Sequence, residues 1–120
     1  MKILNLEWLS IEAREAILDV STNTYVFKVF CHPCLYEIGE EFNELLYCEG
    51  SGEIYTVAPE ETETIEMNKN DEGCKIVATV QDPLKGIVQL DSVQMQLPFS
   101  LDKDIKVGDK VIFYPSRIYL

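Results

Sequence analysis

The sequence predicts an all-β protein. Three observations carry this. Apolar residues alternate with polar ones over short runs, and those runs are punctuated by Gly, Pro, Asn and Asp clusters at close spacing. The third is a matter of scale: 120 residues with 47% hydrophobic content make one domain, 1–120, able to bury a core without staples.

The elements follow in order. Leu4, Leu6 and Trp8 alternate with Asn5 and Glu7, the pattern of a first strand. "EAREAILDV" has helix-favouring Ala and Glu, but Ala16, Leu18 and Val20 alternate. "STNT" then turns the chain into "YVFKVFC", where Tyr25, Phe27, Val29 and Cys31 share one parity. Two alternating runs about a polar turn predict a hairpin. "EIYTV" follows the turn "EGSG", and "CKIVATV" precedes the turn "DPLKG". In "IVQLDSVQMQLP" Val88 and Leu90 share one parity and Val93, Met95 and Leu97 the other. This phase slip predicts a β-bulge or sharp bend near Asp91–Ser92. The chain ends in "KVIFYPSRIYL", where Pro115 must end or edge a strand because it has no N–H to donate.

An internal echo addresses the middle of the chain. "EIGEEF" at 37–42 resembles "KVGDKV" at 106–111. Gly supplies a positive φ and the acid can bond nearby backbone N–H groups, so both read as turns leading into strands. Phe42, Leu45 and Leu46 also fit a helical stripe. Strand or irregular structure is the preferred reading over 40–47, with one short helix as the alternative. Short strands with Gly-acid turns resemble a small closed or partly open β-barrel of the OB-like or SH3-like kind, at fold level only. That resemblance implies oligonucleotide or oligosaccharide binding, but a fold does not fix a function.

The net charge of −11 is unevenly placed. Residues 37–72 hold twelve acids against Lys69 alone, and so carry all −11; the remaining nine acids and nine bases cancel. Lys and Arg are scattered singly, so no basic track exists for a polyanion, and nucleic acid is not an expected partner. A concentrated acidic segment suits a basic protein partner: charge speeds the encounter and apolar anchors hold it. The expected function is a non-enzymatic binding protein, of the kind of an immunity protein that holds a basic toxin. The expected contacts are Glu60, Glu61, Glu63, Glu66 and Asp71, with Ile65 and Met67 as anchors.

"FCHPCLY" offers a different chemistry. Cys31 and Cys34 have the spacing of a zinc knuckle or a redox dithiol, with His32 between them. Zinc needs four ligands, yet Cys48 and Cys74 stand alone and His32 is the only histidine. A redox fold would follow the motif with alternating helices and strands, which the C-terminal half lacks. The plainer reading is that Cys31 continues the apolar parity of Phe27 and Val29 as a core residue. No cofactor is expected, and neither a serine-hydrolase nor a phosphate-loop pattern occurs. No apolar run reaches membrane-span length, and the opening "MKILNLEWLS" lacks an unbroken signal-peptide core. The expected setting is therefore the cytoplasm, with reduced thiols. A homo-oligomer joined through an exposed edge strand is the remaining alternative.

Overall fold

The strands of the chain join in one mixed sheet. The computed structural model describes residues 1–50, 52–69 and 73–120. Eleven strands form in those residues, and no helix: β1 Lys2–Ser10, β2 Glu15–Ser21, β3 Val26–Cys31, β4 Leu46–Glu49, β5 Ile54–Val57, β6 Thr64–Met67, β7 Cys74–Asp82, β8 Ile87–Leu90, β9 Val93–Gln96, β10 Lys110–Phe113 and β11 Arg117–Tyr119. The order across the sheet is β1-β2-β3-β11-β4-β9-β8-β7-β10-β5, with β6 paired to β7 off that path. Most pairs are antiparallel; β11 with β3 and β4 with β9 are parallel.

The sheet is not closed. It does curl, because β6 comes back alongside β3. There the Tyr25 hydroxyl donates to the Glu63 carbonyl. The interior is filled by alternate side chains of β2, β3, β4, β8, β9 and β10, as the pleat demands. Phe27, Phe113, Leu18, Leu46, Ile76, Leu90, Met95 and Ile118 are fully buried. Each such side chain contributes about 1.5–3 kcal/mol by leaving water.

Several expectations are met. The 15–31 hairpin forms, with Ala16, Leu18, Val20, Phe27, Val29 and Cys31 all inward. The Thr22 hydroxyl accepts the N–H groups of Thr24 and Tyr25, which closes its turn. Pro115 separates β10 from β11. The phase slip at Asp91–Ser92 marks more than the expected bulge or bend in one strand: the chain reverses, and Leu90 pairs directly with Val93 across a two-residue turn, with Asp91 at φ 54°. Residues flanking such a turn face the same side, which moves the apolar parity by one.

Two expectations are corrected, and one alternative falls. Over 40–47 the chain is strand or irregular, as preferred, and no helix forms. The N-terminal chain captures that backbone instead, through the Lys2–Glu41 bridge and the Phe42 N–H donating to Met1 O at 2.8 Å. Extended chain there still buries Phe42 and Leu46. The alternation in β1 is also misread. A register shift between Ile3 and Asn5 makes Leu4 an extra residue, so Ile3, Leu6 and Trp8 lie opposite the inward Val20, Leu18 and Ala16. Leu4 is then 46% exposed. Finally, Ile65 is not a surface anchor: paired with Ile76, it is only 6% exposed and belongs to the core.

The echoed turns are structural equivalents. Gly39 and Gly108 have φ of 90° and 92°. Each glycine N–H donates to one residue of a strand, and that residue's N–H returns to the carbonyl after the glycine. The partner is Ile3 for the first turn, at 2.7 and 3.0 Å, and Val80 for the second, at 2.9 and 2.8 Å. In each turn the acid accepts the N–H three residues before it: Glu40 from Glu37 at 3.3 Å, Asp109 from Lys106 at 3.0 Å.

Candidate functional site

Three regions bear on function: the cysteine corner, the acidic segment and the outer edge of β1. The corner begins where β3 ends. The chain leaves through a cis His32–Pro33 bond and returns to pair with the β1–β2 turn. There the Cys34 N–H donates to Arg14 O at 2.7 Å, and Arg14 Nε donates to Cys34 O at 3.0 Å. Cys31 and Cys34 are buried, at 1% and 0% exposure. His32 points elsewhere, with Nδ1 3.8 Å from Glu15 Oε1.

Burial pushes the Cys31 thiol up to about 12, reinforced by Cys34 beside it and by Glu44. At neutral pH Cys31 is therefore a protonated thiol, the opposite of an activated nucleophile. Cys48 is raised as well, first by burial and then by Cys74. All four cysteines are buried, and no group of three or more His, Cys, Asp or Glu side chains is gathered for a metal among the described residues.

The acidic segment does not form one face. Glu37, Glu40 and Glu41 belong to the turn that grips Ile3, next to Lys2. Glu49 lies on β4 in the middle of the sheet. Glu53 precedes β5, at the end of the strand order remote from β1, and accepts the Tyr55 hydroxyl at 2.5 Å, which raises the tyrosine.

The predicted contact residues divide in the same way. Glu60 and Glu61 are exposed in a turn closed by the Glu61 N–H donating to Ala58 O at 3.0 Å. Glu63 is half-buried and accepts the Thr79 hydroxyl at 3.0 Å. Glu66 is exposed opposite Lys75, 4.0 Å away, and Met67 is half-buried against the core. Lys110 Nζ donates to Glu61 O at 2.6 Å. Asp71 lies outside the described residues. The structure thus leaves Glu60, Glu61 and Glu66 exposed along β6 and its lead-in, sets Met67 on the parity of Ile65 against the core, and takes Ile65 out of the surface.

The sequence reading passed over the third region. β1 ends the strand order, and among the described residues its outer side is paired at Lys2 and Ile3 alone, by residues 39–41. Beyond Ile3 no ladder covers that side among the described residues. Leu4, Trp8, Leu9 and Ile11 are exposed here at 46%, 38%, 51% and 70%. The signal was available: apolar residues on both parities of one strand cannot all face one core. Arg14 covers part of this surface, with its guanidinium 5.6 Å from the Trp8 ring centre.

The fold and these surfaces define an all-β protein with an open mixed sheet. No protein-family model matches this chain, and no curated protein or solved structure matches it. No helix among the described residues is long and apolar enough to cross a membrane.

Proposed function

We propose that this chain is a non-enzymatic binding protein that docks a basic protein partner along β6 and its lead-in turn, as an immunity-type inhibitor holds a toxin. The observation that carries the reading is the exposure of Glu60, Glu61 and Glu66 beside half-buried Met67. Only Lys75 forms an ion pair with any of these three acids among the described residues. Exposed carboxylates steer a cationic partner, and Met67 supplies an adaptable apolar contact. Ile65 leaves the set of anchors, and Glu63 serves chiefly to tie β6 to Thr79. The proposal keeps a barrel-like body, with the line where β6 lies alongside β3 without a ladder as its seam, and a cytoplasmic setting in which the buried thiols stay reduced.

The test is capture of partners on the immobilised chain, followed by association rates at low and high salt. The triple variant Glu60→Lys, Glu61→Lys, Glu66→Lys is the comparison; it spares the Glu63–Thr79 bond. A basic captured protein whose association slows about tenfold or more on charge reversal supports the proposal. Association unaffected by both salt and the three reversals overturns it.

A further inference from the structure

The sheet has an internal two-fold. Its run β1-β2-β3-β11-β4-β9-β8-β7 reads alike from either end: a meander, then a strand parallel to the meander's third member. The halves meet where β11 and β4 pair antiparallel about Ile118 and Cys48. The equivalence holds in detail. The register shift between Ile3 and Asn5 on β1 recurs between Val80 and Asp82 on β7. The Gly39 turn grips Ile3 as the Gly108 turn grips Val80. Past each turn the chain pairs with the strand just gripped. Glu41 meets Lys2 and Phe42 meets Met1, as Lys110 meets Thr79 and Val111 meets Ala78. Residues 41–43 are thus the counterpart of the start of β10.

The counterparts differ on their far side. The far side of β10 is covered by β5, with Lys110 opposite Val57 and Ile112 opposite Tyr55. In the other half, Glu40 O accepts the Ile3 N–H, and Phe42 exchanges both main-chain bonds with Met1, at 2.8 and 2.9 Å. Main-chain groups alternate in direction along an extended chain, so those of Glu41 and Asn43 face away from β1. No hydrogen bond reaches them among the described residues, and both residues are exposed. The edge is open where its counterpart is covered, and the cover on the counterpart is a four-residue antiparallel strand.

Charge selects the kind of strand. Residues 37–44 hold Glu37, Glu40, Glu41 and Glu44 and no Lys or Arg. None of the four forms an ion pair among the described residues, although Lys2 lies opposite Glu41. An acidic strand would set carboxylates against carboxylates, whereas a basic one pairs with them.

We propose that the outer edge of residues 41–43 takes an extended basic segment of a partner protein as an added antiparallel strand, in the place that β5 holds against β10. Main-chain bonds to Glu41 and Asn43 hold the segment, and the carboxylates choose its side chains. The edge is separate from β6, so it stands or falls apart from the β6 surface.

Titration of the isotope-labelled full chain with the end-blocked peptide Lys-Val-Lys-Val-Lys, followed by amide signals, tests this. The signals of Glu41 and Asn43 are expected to shift saturably. Lys-Pro-Lys-Pro-Lys keeps the charge but lacks donors, and is expected to bind about tenfold or more weakly. Glu-Val-Glu-Val-Glu is expected not to bind. Asn43→Pro removes an outward N–H and spares the Phe42–Met1 pair. It is expected to weaken the valine peptide about tenfold, with an unchanged far-UV spectrum. Unmoved signals at Glu41 and Asn43 at the highest attainable peptide concentration overturn the proposal. Shifts confined to β6 overturn it too, while supporting the β6 reading. Equal affinity for the valine and proline peptides also overturns it, because charge alone would then account for binding.

Discussion

The strands β1-β2-β3 and β7-β8-β9 form two antiparallel meanders that share much local chemistry. In each, the turn after the first strand ends on a residue with positive φ, Arg14 at 57° and Gly86 at 69°. In each, that residue's carbonyl accepts an N–H from just past the third strand, Cys34 at 2.7 Å and Leu97 at 2.8 Å. In each, a Gly-acid turn grips the first strand, at Ile3 or Val80. Yet β7 has ladders on both sides, with β10 on one and β6 and β8 on the other, and Ile76, Ala78 and Val80 are fully buried. β1 has β2 and a short clasp, and keeps four large apolar side chains in solvent in and just after it. The same local devices therefore yield a core strand in one case and a rim strand in the other. Neighbours decide burial, and turns do not.

The sharpest break of this comparison is Ile76→Ala, which should cost about 2–5 kcal/mol in a urea titration, against under about 0.5 kcal/mol for Leu9→Ala on β1. Similar costs for the two would remove the distinction between core and rim. Next comes Gly86→Ala. A Cβ there would lie 2.3 Å from Phe99 O, and the backbone already sits at φ 69°. The expected loss is about 2 kcal/mol or more, while Arg14→Gly at the equivalent position should change stability by less than about 1 kcal/mol.

The two Gly-acid turns should respond alike. Gly39→Ala and Gly108→Ala meet no atom within 4 Å, so each should cost about 1–2 kcal/mol through backbone strain alone. A several-fold difference in thermal unfolding would show that their settings are not equivalent.

The smallest effect is alkaline. The Cys31 thiol rises from its ordinary 9.0 to about 12, so the folded state holds that proton more tightly than the unfolded chain. Its contribution is complete below pH 9.0 and falls away as pH rises toward 12. Cys31→Ala should flatten the stability profile in that window, measured by urea unfolding at fixed pH values.

Much of this fold was legible in the residues. Strand positions followed the period-2 pattern wherever a strand has one buried face, as in Phe27, Val29 and Cys31. Turns followed Gly39, Gly108 and the phase slip at Asp91. The buried state of Cys31 was legible for the same reason. The candidate acidic surface was legible only in part. Glu60, Glu61 and Glu66 point outward as expected, but Ile65 alternates with Glu66 on a strand that pairs with β7, and alternation turned it inward. β1 was misread because one inserted residue at Leu4 reverses parity, and its local mark, apolar residues on both parities, does not say where the extra residue falls.

By itself, the sequence determined the all-β class, most turns and the confinement of net charge to residues 37–72. These depend on near neighbours along the chain, on φ preferences and on simple charge counting. Tertiary structure alone decided that the meander at β7 lies inside and the one at β1 lies at the rim. It also decided that the acidic segment is dispersed over the sheet, and that β1 keeps an open edge. Those outcomes depend on which distant strands pair, and pairing is a contest among many similar strands that no local pattern encodes.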